Sequence, residues 1–385
     1  MKKRYYFDHN ATTPVRPEVL EAMLPYLTDF YGNPSSVHTF GREARLAMDE
    51  SRETVARFLG AEPEEIIFTG CGTESDNIAL SGYMASAPEG KNRFITTKVE
   101  HSAIMKTGEK LERDGYKATY LGVDSRCRID LDKLRDEIDS TTAMVSVMHA
   151  NNETGVLQEI EEAANIAHET GAVFHTDAVQ SVGKIPIDVN KMGIDMLSMS
   201  GHKLNAPKGI GVLYVKKGIP VTPLTYGGSH EHGIRPGTEN IAGIVALAKA
   251  VELAMEGIDK EAEKLSALRD RLEKGIEDTV ENVLFNGRGA PRVPGTSNMS
   301  FPGVDGEALL FSVDIEGIAA STGSACTTGD VEPSHVLIAM GREPKTAQGS
   351  LRFSMGWGTS AEGVDHIIEC LPAIVKRLRA ISGGV

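Results

Sequence analysis

The stretch Ala172-Val173-Phe174-His175-Thr176-Asp177-Ala178-Val179-Gln180 is a short apolar and β-branched run that stops at an acid. Runs of similar length and kind recur between helical patterns at residues 66–69, 94–97, 119–123, 143–148, 196–200 and 212–215. Strands alternating with helices predict a mainly parallel sheet covered on both faces. In such sheets ligands collect beyond the carboxyl ends of the strands, which puts Asp177 in a position to face a site. The ordinary alternative is an aspartate that caps the following turn.

Beyond this α/β region a long helical pattern runs from Ile241 through Leu247, Leu253, Leu265 and Leu272 and reads as a connecting helix. A Gly/Pro-rich stretch at 286–295, short strands at 297–301 and 351–354, and a terminal amphipathic helix around 364–378 then predict a smaller α+β unit. The chain has 385 residues, 41% of them hydrophobic and 24% charged, which is ordinary globular composition and excludes disordered and fibrous classes. Forty Lys and Arg against 54 Asp and Glu give a net charge of −14, which disfavours nucleic acid or an anionic membrane as a partner. The basic N-terminus is broken by Asp8, His9 and Asn10, so it has no signal-peptide core. No stretch approaches the roughly 18 apolar residues of a membrane span, and a cytoplasmic location is expected. Cys71, Cys127, Cys326 and Cys370 are far apart with no C-x-x-C pair, which argues against a disulfide framework or a zinc knuckle.

Several segments carry candidate chemistry. Thr69-Gly70-Cys71-Gly72-Thr73-Glu74-Ser75 follows a strand and opens a helix, so its backbone N–H groups suit a phosphate; a plain N-cap on Thr73 or Ser75 explains it equally well. It half-matches the dinucleotide fingerprint, but Ser75 stands at the last small position, and it does not match the phosphate loop of nucleotide hydrolases. Lys203, in Ser200-Gly201-His202-Lys203, leaves another strand in a turn of small residues. Lone lysines are usually solvated, but this setting can desolvate the amine and lower its pKa, as an imine-forming lysine requires. Cys326 lies in Ser321-Thr322-Gly323-Ser324-Ala325-Cys326-Thr327-Thr328-Gly329, where no apolar stripe surrounds it. A thiol on such a loop suits a nucleophile that must travel, whereas Cys71, Cys127 and Cys370 read as buried small hydrophobes. His101 after the 94–97 strand, Asn152 in Asn151-Asn152-Glu153-Thr154-Gly155, and Arg352 in Leu351-Arg352-Phe353-Ser354 complete the set. Taken singly, each of these has an ordinary surface or structural explanation.

Taken together and in order, Phe7-Asp8-His9-Asn10-Ala11-Thr12-Thr13, Gly32-Asn33-Pro34-Ser35-Ser36-Val37-His38, Asn151-Asn152-Glu153-Thr154-Gly155, His175 to Lys184, Ser200-Gly201-His202-Lys203 and Gly323-Ser324-Ala325-Cys326 span nearly the whole chain. In these segments the chain resembles the cysteine desulfurases of the NifS/IscS type, pyridoxal-phosphate enzymes of aminotransferase fold type I. The resemblance implies a large α/β domain at residues 15–255 with a mainly parallel seven-stranded sheet. It implies a small α+β domain from residues 1–14 and 256–385, carrying a mobile cysteine loop at about 321–333. It assigns Lys203 as the residue that carries pyridoxal 5'-phosphate and Asp177 as the partner of the pyridine nitrogen. Gln180 and Asn152 would bond the ring oxygen, and His101 would stack on the ring and serve in proton transfer. Thr73, Ser200 and His202 would hold the phosphate with the backbone near Gly72, and Thr238 would reach it from the other subunit of a homodimer.

The implied reaction converts L-cysteine to L-alanine. Arg352, with Asn152, holds the substrate carboxylate, Lys203 removes the Cα proton, and the Cys326 thiolate attacks the substrate sulfur and keeps it as a persulfide. Acceptors implied are an IscU-like iron-sulfur scaffold protein or a tRNA-thiolation relay, with no direct nucleic acid, no membrane and no resident metal; Cys326 would be a transient ligand of an iron-sulfur cluster during transfer. Three positions depart from the family's habit: Ala206 is often Gly, Gly72 is often Ala, and Trp357 replaces a commonly basic residue. The competing readings are a selenocysteine lyase or aminotransferase of the same fold, and a sulfur carrier or assembly platform without catalysis. The long Cys326 loop argues against the first, and the joint presence of Lys203, Asp177 and His101 against the second.

Overall fold

A computed structural model describes residues 3–322 and 332–382 of the chain. Twelve strands are described: β1 Tyr5–Tyr6, β2 Ile66–Thr69, β3 Arg93–Thr97, β4 Lys117–Leu121, β5 Thr142–Ser146, β6 Val173–Asp177, β7 Met196–Ser200, β8 Gly211–Val215, β9 Leu284–Asn286, β10 Thr296–Ser300, β11 Ile318–Ala319 and β12 Ser350–Ser354. The central sheet has seven strands in the order β2-β8-β7-β6-β5-β3-β4. All its pairings are parallel except those of β8, which runs antiparallel to both β2 and β7. Six of its strands (β2, β3, β4, β5, β6 and β7) therefore point their carboxyl ends the same way.

Sequence periodicity explains the layers. In the helix Thr39–Leu59, Ala44, Met48, Val55 and Leu59 fall on one face and are buried, and Gly60 ends the helix in the left-handed region at φ 74°. The strands β6 and β7 are buried at every position, as expected of a sheet covered on both faces. The polar His175 is tolerated there because Ser146 and Ser198 on the two neighbouring strands lie 2.8 and 3.1 Å from its ring nitrogens.

The connecting helix spans Ile241–Thr279. Its first half gives Ile244, Leu247 and Val251 to the core around the central sheet. Its second half gives Leu265, Leu268, Leu272 and Ile276 to a separate core with Phe7, Phe301, Phe353 and Leu371. That second core backs a three-stranded sheet, β12-β10-β9, antiparallel throughout, and is closed by the terminal helix Ala361–Ser382. Among the described residues no helix is long and apolar enough to cross a membrane.

Two local expectations need correction. The strand expected at 119–123 is displaced to 117–121, because its register is set by parallel pairing of Lys117 with Arg93 and Leu121 with Thr97. The Gly/Pro-rich stretch at 286–295 begins at the last residue of β9, whose Leu284–Asn286 pair with β10. Cys71 is exposed rather than core, since it leaves β2 with an extended φ of −174° between two glycines. Cys127 is fully buried, with its thiol pushed up to about 12 by burial.

Candidate active site

The carboxyl ends of β2, β3, β5, β6 and β7 converge on a cavity of about 190 Å³ lined by Gly72, Thr73, Asp76, His101, Asn152, Asp177, Gln180, Ser200, His202 and Lys203. Nearly every residue expected at the site from sequence is therefore gathered in one place. Thr238 is exposed and does not line this cavity, and Arg352 does not line it either but is bonded to the carbonyl of Asn152 in its wall. Cys326 lies outside the described residues.

Asp177 ends β6 buried, with Oδ1 accepting the N–H of Val179 at 2.9 Å. It thus makes the local turn and faces the cavity as well. Burial pushes its carboxyl up, opposed by that hydrogen bond and by the charges of His101 and Lys203. Asp76 beside it is pushed well above the usual carboxylate range by burial and by the neighbouring Asp177.

Lys203 follows β7 on a single turn, Gly201–Lys203. Its amine donates to the backbone carbonyls of Asn10 and of Ala11, the latter at 2.7 Å. Burial first, then the Arg352 charge, lowers its pKa to about 8, with Asp8 and Asp177 opposing. About half of this amine is thus neutral at pH 8, the form that reacts with an aldehyde. His202 is lowered to about 4 by burial and the adjacent Lys203, and its Nδ1 lies 3.1 Å from Thr12 Oγ1.

His101 caps the helix Ser102–Arg113, its Nδ1 accepting the N–H of Ala103 at 3.2 Å. That bond leaves Nε2 as the protonated nitrogen of the neutral ring. Burial lowers its pKa, against the pull of Asp177. At the Gly70–Gly72 turn neither Thr73 nor Ser75 caps the helix. The N-cap is Cys71 without a side-chain bond, and Glu74 takes the N–H of Gly70. A Cβ at Gly72 would stand 2.7 Å from Val179 Cγ2 and 3.4 Å from Ser200 Cβ, so the backbone there approaches the cavity closely.

Arg352, on β12, donates from Nη1 to the carbonyl of Asn152 at 2.9 Å and from Nη2 to Asp8 Oδ1 at 2.7 Å. The backbone of Ser321 pairs with that of Arg352, with N–H···O distances of 3.2 and 2.6 Å. On the other side of the Cys326 segment, Ser334 donates to the buried Glu153 carboxylate and a ring nitrogen of His335 lies 3.0 Å from the carbonyl of Glu100. Both ends of that segment are thereby fastened beside Arg352 and Asn152.

Sequence reasoning missed a hub beneath these groups. Asn10 donates from Nδ2 to the Asn152 carbonyl and Thr296 Oγ1 at 3.2 and 3.0 Å, and its own carbonyl accepts from Gln180 Nε2 at 2.9 Å. Lys184 donates to Asn10 Oδ1 at 3.1 Å and Gln180 Oε1 at 2.9 Å, and burial with the charges of Lys203 and Arg352 lowers it to about 7. The spacing from Gln180 to Lys184 was the available signal.

Residues 5–367 match the profile of the aminotransferase class-V family. A cysteine desulfurase 2 from Trichormus variabilis is 51% identical over 377 residues, 98% of this chain and 94% of that protein. A cysteine desulfurase IscS from Dictyoglomus turgidum is 46% identical over 383 residues, 99% and 97% of the two chains. A solved NifS-like protein superposes with a TM-score of 0.92 at 38% identity, covering 98% of this chain and all of that one. With a shared fold, a shared site and near-complete coverage, the chain belongs to the class-V aminotransferase family.

Proposed function

We propose that this protein is a cysteine desulfurase dependent on pyridoxal 5'-phosphate, converting L-cysteine to L-alanine and passing the sulfur on through Cys326. The observation that carries this reading is the convergence of a lysine amine lowered to about 8 and a buried aspartate on one cavity, with an arginine bonded to the carbonyl of Asn152 in its wall and both ends of the cysteine segment fastened beside that arginine and Asn152.

The residues present fit the cofactor. Asp76 Oδ1, Asn152 Oδ1 and Ser200 Oγ are buried without a hydrogen-bond partner, and all three residues line the cavity. A buried Asp177 raised by desolvation is the group that a protonated ring nitrogen would return to its charged form. In this assignment Lys203 carries the cofactor, Gln180 and Asn152 hold its ring oxygen, and His101 covers the ring. Thr73, Ser200, His202 and the backbone at Gly72 take the phosphate, with Thr238 reaching it from a second subunit.

When bound, the cofactor withdraws electrons from the substrate's Cα, so that the proton there can leave and the Cβ–S bond can break. Arg352 orients the substrate by its carboxylate, and Lys203 Nζ receives the Cα proton. The Cys326 thiolate attacks the substrate sulfur; a new S–S bond forms as the Cβ–S bond breaks, its electron pair returns to the substrate carbon skeleton, and protonation gives L-alanine. His101 and Lys203 both line the cavity and serve as its proton carriers in this proposal.

The same proposal divides the chain into a cofactor domain, residues 15–255, and a small domain of 1–14 and 256–385. It makes the protein a cytoplasmic homodimer that hands the persulfide to an IscU-like scaffold protein or to another acceptor in iron-sulfur assembly or tRNA thiolation. Compatible with a dimer, Tyr31, Val37 and Tyr226 are 68%, 89% and 88% exposed, large side chains that a subunit interface would cover. The direct test is colour: the protein as purified should absorb in the visible, lose the band on borohydride reduction, and lack it as Lys203→Ala. A colourless protein that gains no visible band from pyridoxal phosphate overturns the assignment.

A further inference from the structure

A second cavity, of about 320 Å³, adjoins the first, and among the described residues Lys203 is the one that lines both. One wall is an apolar face of the helix Ile241–Thr279 carrying Leu253, Ala254 and Ile258, and Trp357 lines it too. The volume is within the range of small-molecule sites. Its charge is lopsided, because among the described residues Arg16, Lys184, Lys203 and Lys260 line it against a single acid, Glu261, which is paired with Lys264 at 3.3 Å.

Two of those cations have unfinished hydrogen bonding. The Arg16 guanidinium stacks 5.3 Å from the centroid of the Trp357 ring and donates from Nη2 to Glu18 at 3.1 Å, while its Nε is buried with no partner. A buried N–H left unmade costs stability unless a ligand completes it. Of the three donors of the Lys184 ammonium, two go to Asn10 Oδ1 and Gln180 Oε1. Burial first, then the charges of Lys203 and Arg352, lowers the pKa of Lys184, and a bound anion would oppose that lowering.

We propose that this cavity binds a small amphipathic carboxylate, its head meeting Arg16 in the field of Lys184 and its apolar body lying along Trp357 and the helix Ile241–Thr279. The site is separate from the one that takes cysteine, and it gives a role to Trp357. Through Lys184, which holds Gln180 and Asn10, occupancy would be felt at the cofactor pocket.

Trp357 is the chain's single tryptophan, so its emission reports the cavity. Titrating the holoenzyme, without cysteine, with 4-phenylbutyrate should give a saturable change with a midpoint of about 1–10 mM, typical for a ligand of this size. The uncharged 4-phenylbutanol and the variant Arg16→Gln should each raise the midpoint about tenfold. Arg16 makes no side-chain cap to the helix that follows it, so this exchange leaves the helix start intact. Gly257→Phe should abolish saturation, since a Cβ at Gly257 meets nothing within 4 Å and the ring would fill the cavity. An unchanged circular dichroism spectrum and an unchanged visible band in Gly257→Phe would verify its fold. The proposal is overturned by the absence of any saturable change, by equal binding of acid and alcohol, or by a midpoint that neither Arg16→Gln nor a folded Gly257→Phe alters.

Discussion

Arg352 reaches the site already paired: its Nη2 donates to Asp8 Oδ1 at 2.7 Å, while Nη1 is held by the Asn152 carbonyl. The guanidinium is thus fixed in place before any substrate arrives, with Nε buried and unpartnered. A preset cation of this kind binds a carboxylate with little reorganisation. Loss of such a charge-assisted contact costs about 1.5–3 kcal/mol, or roughly 10- to 150-fold. Arg352→Gln should therefore raise KM for L-cysteine by about that factor with the visible band retained. A KM within twofold of the parent would remove Arg352 from the substrate site.

The Lys203 amine makes a signed pH prediction. Burial and the Arg352 charge hold its pKa at about 8, with Asp8 and Asp177 pulling the other way. Only the neutral amine reacts with an aldehyde, so the rate at which the apoprotein takes up cofactor should climb with pH up to about 8 and then level. Arg352→Gln removes a lowering charge and should move that limb to higher pH; Asp8→Asn removes a raising charge and should move it lower. Stopped-flow absorbance against pH measures both, and shifts in a common direction would refute the electrostatic account.

Gly72 tests the cofactor cradle. The nearest atom to an added Cβ is a methyl group of Val179, which can turn aside, so Gly72→Ala should weaken pyridoxal phosphate binding by no more than about threefold. Gly72→Val, branching toward Val179 and Ser200, should weaken it more than tenfold in equilibrium dialysis. Equal affinity in both variants would mean that the backbone at Gly72 is not a wall of the site.

Stability of the loop that carries Thr238 should rest on a distant ion pair. Arg52 donates from Nη1 and Nη2 to the two oxygens of Glu231 at 2.9 and 2.6 Å, and Glu231 also accepts the N–H of Phe68 at 2.7 Å. Glu231 is buried with φ at 46°, a backbone setting that needs such support. Arg52→Met strands a buried carboxylate and should cost about 3–5 kcal/mol in urea unfolding. The double variant Arg52→Met/Glu231→Leu should recover part of that loss; if it is no better than the single change, the cost lies in packing rather than charge.

Much of the fold was legible because the deciding strands are buried on both faces. Such strands read as continuous apolar runs, so β2, β6 and β7 are found where periodicity expects them. The half-covered β4 was displaced by two residues, because its register comes from pairing with β3 and not from its own pattern. At the site, Lys203, Asp177 and His101 were visible as polar residues closing apolar strands. Asn10, Asp76 and Lys184 were not, because what marks them is distance in space. Asn10 acts on residues more than 140 positions away, and nothing in an isolated Asn signals that it accepts from Gln180 and Lys184. Cys71 was misjudged for a related reason: cysteines are usually buried, but a strand end flanked by glycines turns this one outward.

The central claim is that sulfur leaves L-cysteine by attack of Cys326. Mass spectrometry of the holoenzyme after brief exposure to L-cysteine, without reductant, reads it directly. The account predicts one added sulfur atom on the peptide containing Cys326, formed together with one equivalent of alanine, and absent in Cys326→Ser, which keeps its visible band. Added sulfur on Cys71, Cys127 or Cys370 instead, or alanine produced at the full rate by Cys326→Ser, would contradict it.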